Sequence, residues 1–276
     1  MSRAGAAVRE GRAARGALLG AVLLASLLVL VAPVAIVFIE AFGAGLSGFA
    51  ATLAHPDTRA AIGLSIVTAL LVVPVNTLFG IAAAWAIARF RFPGRRLLLA
   101  TIEVPFSVSP IVAGIAYLFV YGGQGLLGPF LEAHELRIMF ALPGIVLASM
   151  FVTAPYVVHQ LIPLMEAQGS DEEEVAATLG AGGFAIFRRV TLPNIRWALL
   201  YGVVLCNARV LGEFGAVSIV SGNIRGQTNT LPLHIELLYH DYNTMGAFAA
   251  ASVLALAGLL TLVAKWLLER SGARQG

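Results

Sequence analysis

The chain has 276 residues, of which 59% are hydrophobic and 12% are charged, with 18 Lys and Arg against 15 Asp and Glu. Soluble domains are nearer half apolar and a quarter charged, so this composition disfavours a water-soluble enzyme and excludes a disordered chain. The single cysteine, Cys206, excludes an intrachain disulfide and a cysteine-based metal cluster, and the composition as a whole predicts an integral membrane protein.

Six stretches approach or exceed the roughly 20 apolar residues that a membrane-spanning helix needs. In chain order they cover residues 17–39, 62–88, 102–121, 140–163, 198–220 and 245–268. The first follows a basic segment, residues 1–16, and its apolar run is too long for a typical signal peptide, which favours an uncleaved span. The third begins with Pro105 and Pro110, so we expect a kinked or broken entry. The pattern predicts an all-α membrane domain of six helices over residues 17–268, followed by a short tail at 269–276.

The placement of the basic residues predicts which way the spans run. Fourteen of the 18 Lys and Arg residues lie in the N-terminal segment, the 89–96 loop, the 164–197 loop and the C-terminal end. Three lie in connections on the other side, and the last, Arg209, lies inside the fifth span. Because cytoplasmic connections of membrane proteins are enriched in Lys and Arg, both termini are predicted to be cytoplasmic.

The longest predicted cytoplasmic loop, residues 164–197, contains a short helix with its own start and stop signals. Ser170 and Glu173 have the spacing of a capping box, and the acidic residues 171–174 lie at the positive end of the helix dipole. Gly180 supplies a left-handed stop. An apolar face follows from the spacing of Val175, Ala176 and Leu179. On these features alone the segment is either a docking helix or a solvated connector.

The same segment resembles the EAA motif in permease subunits of ATP-binding-cassette importers, which have the MetI-like fold. That motif reads Glu-Ala-Ala, three residues, Gly, nine residues and Ile-x-Leu-Pro. Here Glu174-Val-Ala176 is followed at the same spacing by Gly180 and by Val190-Thr-Leu-Pro193. The resemblance implies a coupling helix that inserts into a groove on a separate ATPase. The coupling residues that it implies are Glu173, Glu174, Ala176, Ala177, Leu179, Gly180, Leu192 and Pro193.

Lys265, the only lysine of the chain, excludes a nucleotide-binding P-loop. Such a loop needs Gly-Lys-Ser or Gly-Lys-Thr, with the lysine on the phosphates, and Lys265 follows Ala264 at the end of the last span. We therefore expect this chain to hold no cofactor of its own, and ATP and Mg²⁺ to be bound by a partner. The five histidines show no spacing typical of metal ligands, so no metal site is predicted.

Two charged residues interrupt the fifth predicted span, Arg209 near its midpoint and Glu213 one turn later. A bare charge at the bilayer centre costs about 2.5–3.5 kcal/mol on insertion scales, so neither side chain is expected to face lipid. At a spacing of four residues they share one helical face. They either form a buried ion pair that locks helix packing or face a polar translocation route together. Small residues would let a neighbouring helix approach here: Gly212, Gly215 and Ala216.

The extracytoplasmic connection after this span covers residues 221–242, and its first part, residues 221–230, contains glycines and many neutral hydrogen-bond donors with one arginine. This composition suits an oxyanion without providing a strong charge trap, but it is equally typical of a solvated loop. In the pathway interpretation, Arg209 and Glu213 are joined by Ser221, Arg225, Gln227, Thr228, Asn229 and Thr230.

The sequence from Arg209 to Leu233 resembles the sulfate and thiosulfate importer permeases of the CysW type. The string Gly212-Glu-Phe-Gly-Ala216 is shared with molybdate permeases, whereas Ile224-Arg-Gly-Gln-Thr-Asn-Thr230 separates the two groups. The resemblance covers residues 17–268. It implies one half of a heterodimeric pore in the bacterial inner membrane, a subunit without catalytic activity.

The resemblance also implies a set of partners. They are a second permease of the CysT type, a cytoplasmic ATPase dimer of the CysA type, a periplasmic sulfate-binding protein, and sulfate or thiosulfate as the substrate. The lipid bilayer surrounds the chain, and nucleic acid is not expected to bind. One alternative is a molybdate or tungstate permease of the same superfamily, and another is an ATP-independent secondary anion transporter. An intramembrane enzyme would need a paired Ser and His, two Asp or a His-Glu-x-x-His arrangement within the spans, and the sequence contains none.

Overall fold

The computed structural model describes residues 12–43 and 45–272, and all regular elements within them are helices. Two of the segments are single π-helical turns, Leu27–Val31 and Phe187–Thr191. The α-helices are α1 (Arg12–Ser26), α2 (Ala32–Ala41), α3 (Gly45–Ala54), α4 (Pro56–Arg89), α5 (Arg95–Ser107), α6 (Pro110–Tyr121), α7 (Gly128–Ala133), α8 (Leu142–Gln168), α9 (Asp171–Thr178), α10 (Gly183–Ile186), α11 (Leu192–Leu211), α12 (Gly215–Val220), α13 (Leu231–His240) and α14 (Thr244–Gly272).

Within the described residues, four helical stretches are long and apolar enough to cross a membrane. They are Gly16–Ala41, Pro56–Arg89, Leu142–Gln168 and Thr244–Leu268. The bent pair α5 and α6 brings the number to five if it counts as one span. The predicted fifth span corresponds to α11, which is 20 residues long, and α12. The expectation of six spans is compatible with this arrangement.

The third predicted span is broken, as its prolines indicate. Helix α5 ends at Ser107 and α6 begins at Pro110, and the two axes differ by 111°. Ser109 has an extended backbone, with φ −58° and ψ 134°, because the ring of a following proline disfavours the helical conformation. The break therefore directs α6 away from the course of α5.

The fifth predicted span differs from the expectation of one continuous helix. Helix α11 ends at Leu211 and α12 begins at Gly215, so residues 212–214 form a break. Helix α12 packs against α6, where a Cβ added to Gly114 would lie 2.8 Å from the carbonyl oxygen of Ala216. Only glycine at position 114 allows this approach, since real Cβ atoms do not come so close to a carbonyl oxygen.

Helices α4, α8 and α11 form the centre of the bundle, with buried apolar side chains that include Val72, Val157, Leu161, Ile195 and Cys206. The α4 and α8 backbones approach closely at Gly80, where an added Cβ would lie 2.6 Å from Val157 Cβ. Asn76 fixes the register of the same pair, because its amide donates to Met150 O (3.1 Å) and Thr153 Oγ1 (2.7 Å) on α8.

The first candidate span, Gly16–Ala41, differs from this centre because its apolar window is wholly outside the core. Its helix α2 contacts α14, but the leucines and valines of the span are mostly exposed. An apolar helix surface of this kind suits hydrocarbon or another membrane protein rather than water.

Candidate functional site

The helix predicted in the 164–197 loop is α9, and it ends where the sequence indicates. Gly180 has φ +87°, the left-handed conformation. Gly180 N–H donates to Ala177 O (3.0 Å) and Ala181 N–H to Ala176 O (3.1 Å), which satisfies carbonyl groups at the helix end. Glycine is the residue that adopts this conformation without steric cost.

The predicted capping box at the start of α9 is wrong. The Ser170 side chain bonds to no backbone N–H of the helix, and its hydroxyl instead donates to Glu174 Oε1 at 2.5 Å. Glu173 does not turn back to the helix start, because partners in the body of the protein bind its carboxylate. The helix therefore begins without the reciprocal side-chain caps that the sequence spacing predicts.

Glu173 joins α9 to three other segments. Its Oε2 accepts from Arg89 Nε at 2.9 Å, and its Oε1 accepts from Thr191 Oγ1 at 2.7 Å. Arg89 Nη1 also donates to Met165 O at 2.6 Å. The Arg89 and Glu173 side chains are only 10% and 16% exposed, so solvent screens this ion pair weakly. The contact ties the end of α4, the end of α8 and the π-helical turn before α11 to α9.

The opposite face of α9 is exposed and partly apolar. Val175 is 58% exposed and Leu179 is 82% exposed, and Glu174 is exposed beside them. Ala177 is also exposed, one turn from Glu173. Ala176, one turn from Glu173, is half-buried on the inner face. The helix thus has an inner face that is bonded to the bundle and an outer face that is free to contact a partner.

Leu192 and Pro193 open α11 and do not belong to α9. Leu192 is half-buried and Pro193 is exposed at the first turn, where a missing N–H costs no helical hydrogen bond. The neighbouring Asn194 Nδ2 donates to Glu172 Oε2 at 2.5 Å. The two parts of the EAA-like motif are therefore held next to each other by side chains.

Arg209 and Glu213 form an ion pair across the end of α11, with Nη1 and Oε2 2.6 Å apart. Glu213 is not helical, contrary to the expectation of one helical face, because it lies in the 212–214 break. Its other oxygen, Oε1, accepts from the Ala216 N–H at 3.0 Å at the start of α12. The Glu213 side chain is 1% exposed and that of Arg209 is 29% exposed. The ion pair is thus a packing contact, and its Arg209 guanidinium also presents a cation at the accessible edge of the bundle.

The small residues near this pair do allow close helix contact. A Cβ added to Gly215 would lie 3.0 Å from Pro110 Cβ, and Ala216 lies against Gly114 of α6. Gly212 meets only its own helix, at Ala208 O. The neighbour that approaches is α6, the second half of the broken span.

The loop residues of the predicted pathway divide into two groups. Arg225 and Gln227 are exposed, and Arg225 Nη2 pairs with Asp241 Oδ2 at 2.6 Å. The other four are buried: Ser221, Thr228, Asn229 and Thr230. The Ser221 hydroxyl donates to Asn223 Oδ1 and Thr228 Oγ1 accepts from the Ile224 N–H, so both bonds stabilise the turn itself.

The structure does not bring all the predicted pathway residues to one place. Glu213 and Thr230 line one small cavity inside the bundle, whereas Arg225 lines a separate cleft. That cleft, of about 390 Å³, lies between the start of α4 and α13. The buried His234 lines it, with Nε2 3.0 Å from Thr58 Oγ1. Burial lowers the pKa of His234 below its ordinary value of 6.5, and the charge of Asp57 partly opposes this effect.

Several residues of these sites were missed in the sequence. In the sequence, Arg89 contributes only to the topology prediction, and Thr191 lies within the motif without a predicted role. Three buried hydroxyl residues, Ser65, Thr68 and Ser149, line the same cavity as Glu213. The signal for them is modest, namely polar residues within otherwise apolar spans, with Ser65 and Thr68 three apart on one face of α4.

The family model described as "Binding-protein-dependent transport system inner membrane component" matches residues 76–274. The sulfate transport system permease protein CysW of Escherichia coli (strain K12) is 55% identical over 252 residues, which cover 91% of this chain and 87% of that protein. The corresponding CysW protein of Synechococcus elongatus is 51% identical over 259 residues, covering 94% and 91%. The sulfate transport system permease protein CysT of E. coli (strain K12) is 34% identical over 244 residues, covering 88% of each chain.

Solved structures resemble the chain at much lower sequence identity. A chain of a bacterial ABC transporter that imports the acidic polysaccharide alginate has a TM-score of 0.75 at 16% identity, covering 95% of both chains. A second structure, of an alginate ABC transporter in complex with a periplasmic protein bound to an alginate pentasaccharide, gives 0.74 at 17% identity, covering 94% of both chains. At this identity the likeness shows the fold alone.

Proposed function

Because the chain belongs to the family of binding-protein-dependent transport system inner membrane components, we propose that it is a permease subunit of an ATP-driven sulfate importer. The predicted resemblance to importer permeases is confirmed by this membership. The chain is a multi-pass membrane subunit of a transport system and not an enzyme. The observation that carries the sulfate assignment is the identity of 49–55% to CysW sulfate permeases over most of the chain.

The relatives also separate the alternatives considered for the substrate. Relatives of both the CysW and the CysT type are sulfate transport permeases. A molybdate or tungstate permease receives no support from them, and neither does an ATP-independent transporter. Thiosulfate is a dianion like sulfate, so we include it in the proposed substrate class.

The proposed assembly contains this chain, a second permease of the CysT type, an ATPase dimer of the CysA type and a periplasmic sulfate-binding protein. The exposed apolar face of α9 supports the contact with the ATPase, since Val175 and Leu179 would otherwise face water. ATP and Mg²⁺ bind to the ATPase in this scheme. The basic connections support a cytoplasmic position for α9 and both termini.

ATP coupling is energetically reasonable for this substrate. Each negative charge moved into a cell with a negative interior costs about 2.3 kcal/mol per 100 mV, so a dianion costs about twice that. Closure of the ATPase dimer would pull on α9, and the Glu173–Arg89 contact would carry the displacement to α4 and α8. The translocation cavity of the transporter would then open toward the periplasm to receive the anion. Hydrolysis of ATP would return this cavity to its inward-facing state.

Paired uptake assays test the proposal. In a strain that lacks this gene, uptake of ³⁵S-sulfate should fall to background while uptake of labelled molybdate is unchanged, and the gene on a plasmid should restore sulfate uptake. A defect in molybdate uptake alone would overturn the substrate assignment. Sulfate uptake that persists after deletion of the ATPase would overturn the ATP-driven mechanism.

A further inference from the structure

A small cavity lies inside the bundle beside the Arg209–Glu213 ion pair. The volume of the cavity that the centre of a water molecule can occupy is about 10 Å³. This is close to the minimum that a single water needs. Helices α4, α8, α11, α12 and α13 and the 212–214 break contribute to its walls. The polar residues that line it are Ser65, Thr68, Ser149, Glu213 and Thr230.

Four of these side chains have buried polar atoms without a hydrogen-bond partner among the described residues. The atoms are Thr68 Oγ1, Ser149 Oγ, Thr230 Oγ1 and Glu213 Oε2. All four residues are at most 4% exposed. Glu213 Oε2 does contact Arg209 in the ion pair, but its remaining acceptor capacity is unused. Because lipid offers no hydrogen bonds, buried polar groups at this depth need an internal partner.

We propose that this cavity binds one ordered water molecule, which bonds to Glu213 Oε2 and, of the three hydroxyls, to at least Thr68 Oγ1 and Ser149 Oγ. Water fits the donor balance, because the carboxylate only accepts, whereas hydroxyls both donate and accept. It therefore donates to Glu213 and to one hydroxyl oxygen and accepts from the others. Three or four such partners are the usual complement of a buried water.

The charge at the site favours water over a metal cation. Arg209 Nη1 already lies 2.6 Å from Glu213 Oε2, and its charge neutralises that carboxylate. The other lining side chains with polar atoms are uncharged hydroxyls. A cation here would therefore meet a nearby positive charge without a second carboxylate to balance it.

The water has a positioning role in this arrangement. Glu213 lies in the 212–214 break, where its N–H bonds to Val210 O of α11 at 3.1 Å, and its Oε1 is already bonded to the Ala216 N–H. The water joins the second oxygen to α4 and α8, and so holds the carboxylate that orients Arg209. This inference concerns the anchoring of the break and does not depend on which anion is transported.

A density map of the whole assembled transporter, at a resolution that shows ordered waters, tests the site directly. We expect one peak within about 2.7–3.2 Å of Glu213 Oε2 and of two or more hydroxyl oxygens. A map that shows neighbouring buried waters but none in this cavity would overturn the proposal. So would a rise in melting temperature in NaCl relative to choline chloride that T68V abolishes, because it would identify a sodium ion instead.

A double-mutant cycle on the purified complex gives an independent test. T68V and S149A each remove one partner of the shared water, and each should lower the melting temperature by about 2–4 °C. If both act through one water, the double variant should lose clearly less than the sum of the two shifts. The control is a second cycle that pairs T77V with S149A. Thr77 lies on the same helix as Thr68, but its Oγ1 donates to Val73 O, so the shifts in this control cycle should be additive. Additive shifts in the T68V and S149A cycle would overturn the shared water.

Discussion

Arg89, the last residue of α4, and Glu173, in α9, form a largely buried ion pair with Nε and Oε2 2.9 Å apart. It joins the longest helix of the described structure to the proposed docking helix. Since Arg89 Nη1 also bonds to Met165 O of α8, one guanidinium connects α9 to both central helices. In the proposed coupling scheme, a displacement of α9 would therefore be transmitted to the centre of the bundle.

The first prediction concerns this ion pair. R89A should lower sulfate uptake at least about tenfold, because it leaves Glu173 partly buried without its guanidinium, at a cost on the order of 3 kcal/mol. The measurement is ³⁵S-sulfate uptake, with the amount of protein in the membrane determined by immunoblot. R91A, which removes an exposed arginine from the same loop, is the control and should transport normally. Equal uptake by the two variants would show that the ion pair between Arg89 and Glu173 has no role in coupling.

The second prediction concerns the outer face of α9. Leu179 is 82% exposed and contributes little to the stability of the chain itself, so L179S should leave the permease in the membrane. It should reduce co-purification of the ATPase and sulfate uptake several-fold, because it removes apolar contact area with the partner. L126S changes a leucine that is 84% exposed on the predicted extracytoplasmic side and should affect neither. Normal ATPase recovery with L179S would argue against docking through this face.

A third prediction concerns the turn at Gly180, where φ is +87° and an added Cβ would meet no atom within 4 Å. G180A should therefore act through backbone strain alone, about 1 kcal/mol, and reduce uptake moderately. G180P should abolish uptake while the protein remains in the membrane, because proline requires φ near −65°. G182A is matched in space but has φ −73° and should be neutral. Full activity of G180P would refute the coupling assignment of the segment.

The fourth prediction compares two arginines. R209A should reduce sulfate uptake more than R137A, since Arg209 neutralises the buried Glu213 and reaches the accessible edge of the bundle. Arg137 is exposed on the predicted extracytoplasmic side. Initial rates over a range of sulfate concentrations are the measurement. If both substitutions have the same mild effect, Arg209 is a packing residue only.

The fifth prediction concerns His234 and pH. Because burial lowers its pKa below 6.5, His234 is neutral in the folded protein at a pH where the unfolded chain already binds a proton. Its contribution to stability is therefore complete above pH 6.5 and is lost as the pH falls below that value. The melting temperature of the complex should decrease from about pH 7.5 to about pH 5.5. The decrease should be smaller in H234Q and unchanged in H240Q, an exposed control. The same slope in all three proteins would contradict this role.

The predictions from sequence succeeded where the signals are local. The end of α9 follows from Gly180 and the bend at α6 follows from Pro110, each of which acts through its own backbone dihedrals. The predicted capping box at the start of α9 is wrong because Glu173 has a stronger partner in Arg89, 84 residues away in the chain. No spacing within the 164–197 loop contains that information.

The membrane-embedded polar residues show the same limit. The i,i+4 spacing of Arg209 and Glu213 correctly indicated that they could pair, but the break at 212–214 was not predicted, because Gly212 and Gly215 are also typical of close helix packing. The cavity beside Glu213 is formed by hydroxyls from α4, α8 and the loop before α13. Their proximity is a property of the tertiary fold, and single serines or threonines in apolar helices give no sign of it.

The two faces of α9 also have a consequence for how such transporters diversify. In the proposed assembly, recognition of the ATPase rests on exposed side chains such as Val175 and Leu179, while the mechanical link rests on Glu173, Arg89 and Thr191 inside the permease. Substitutions on the outer face can therefore change which ATPase is accepted without altering the link to α4. A permease built in this way can come to bind a different ATPase during evolution and still keep the contacts that connect α9 to its central helices.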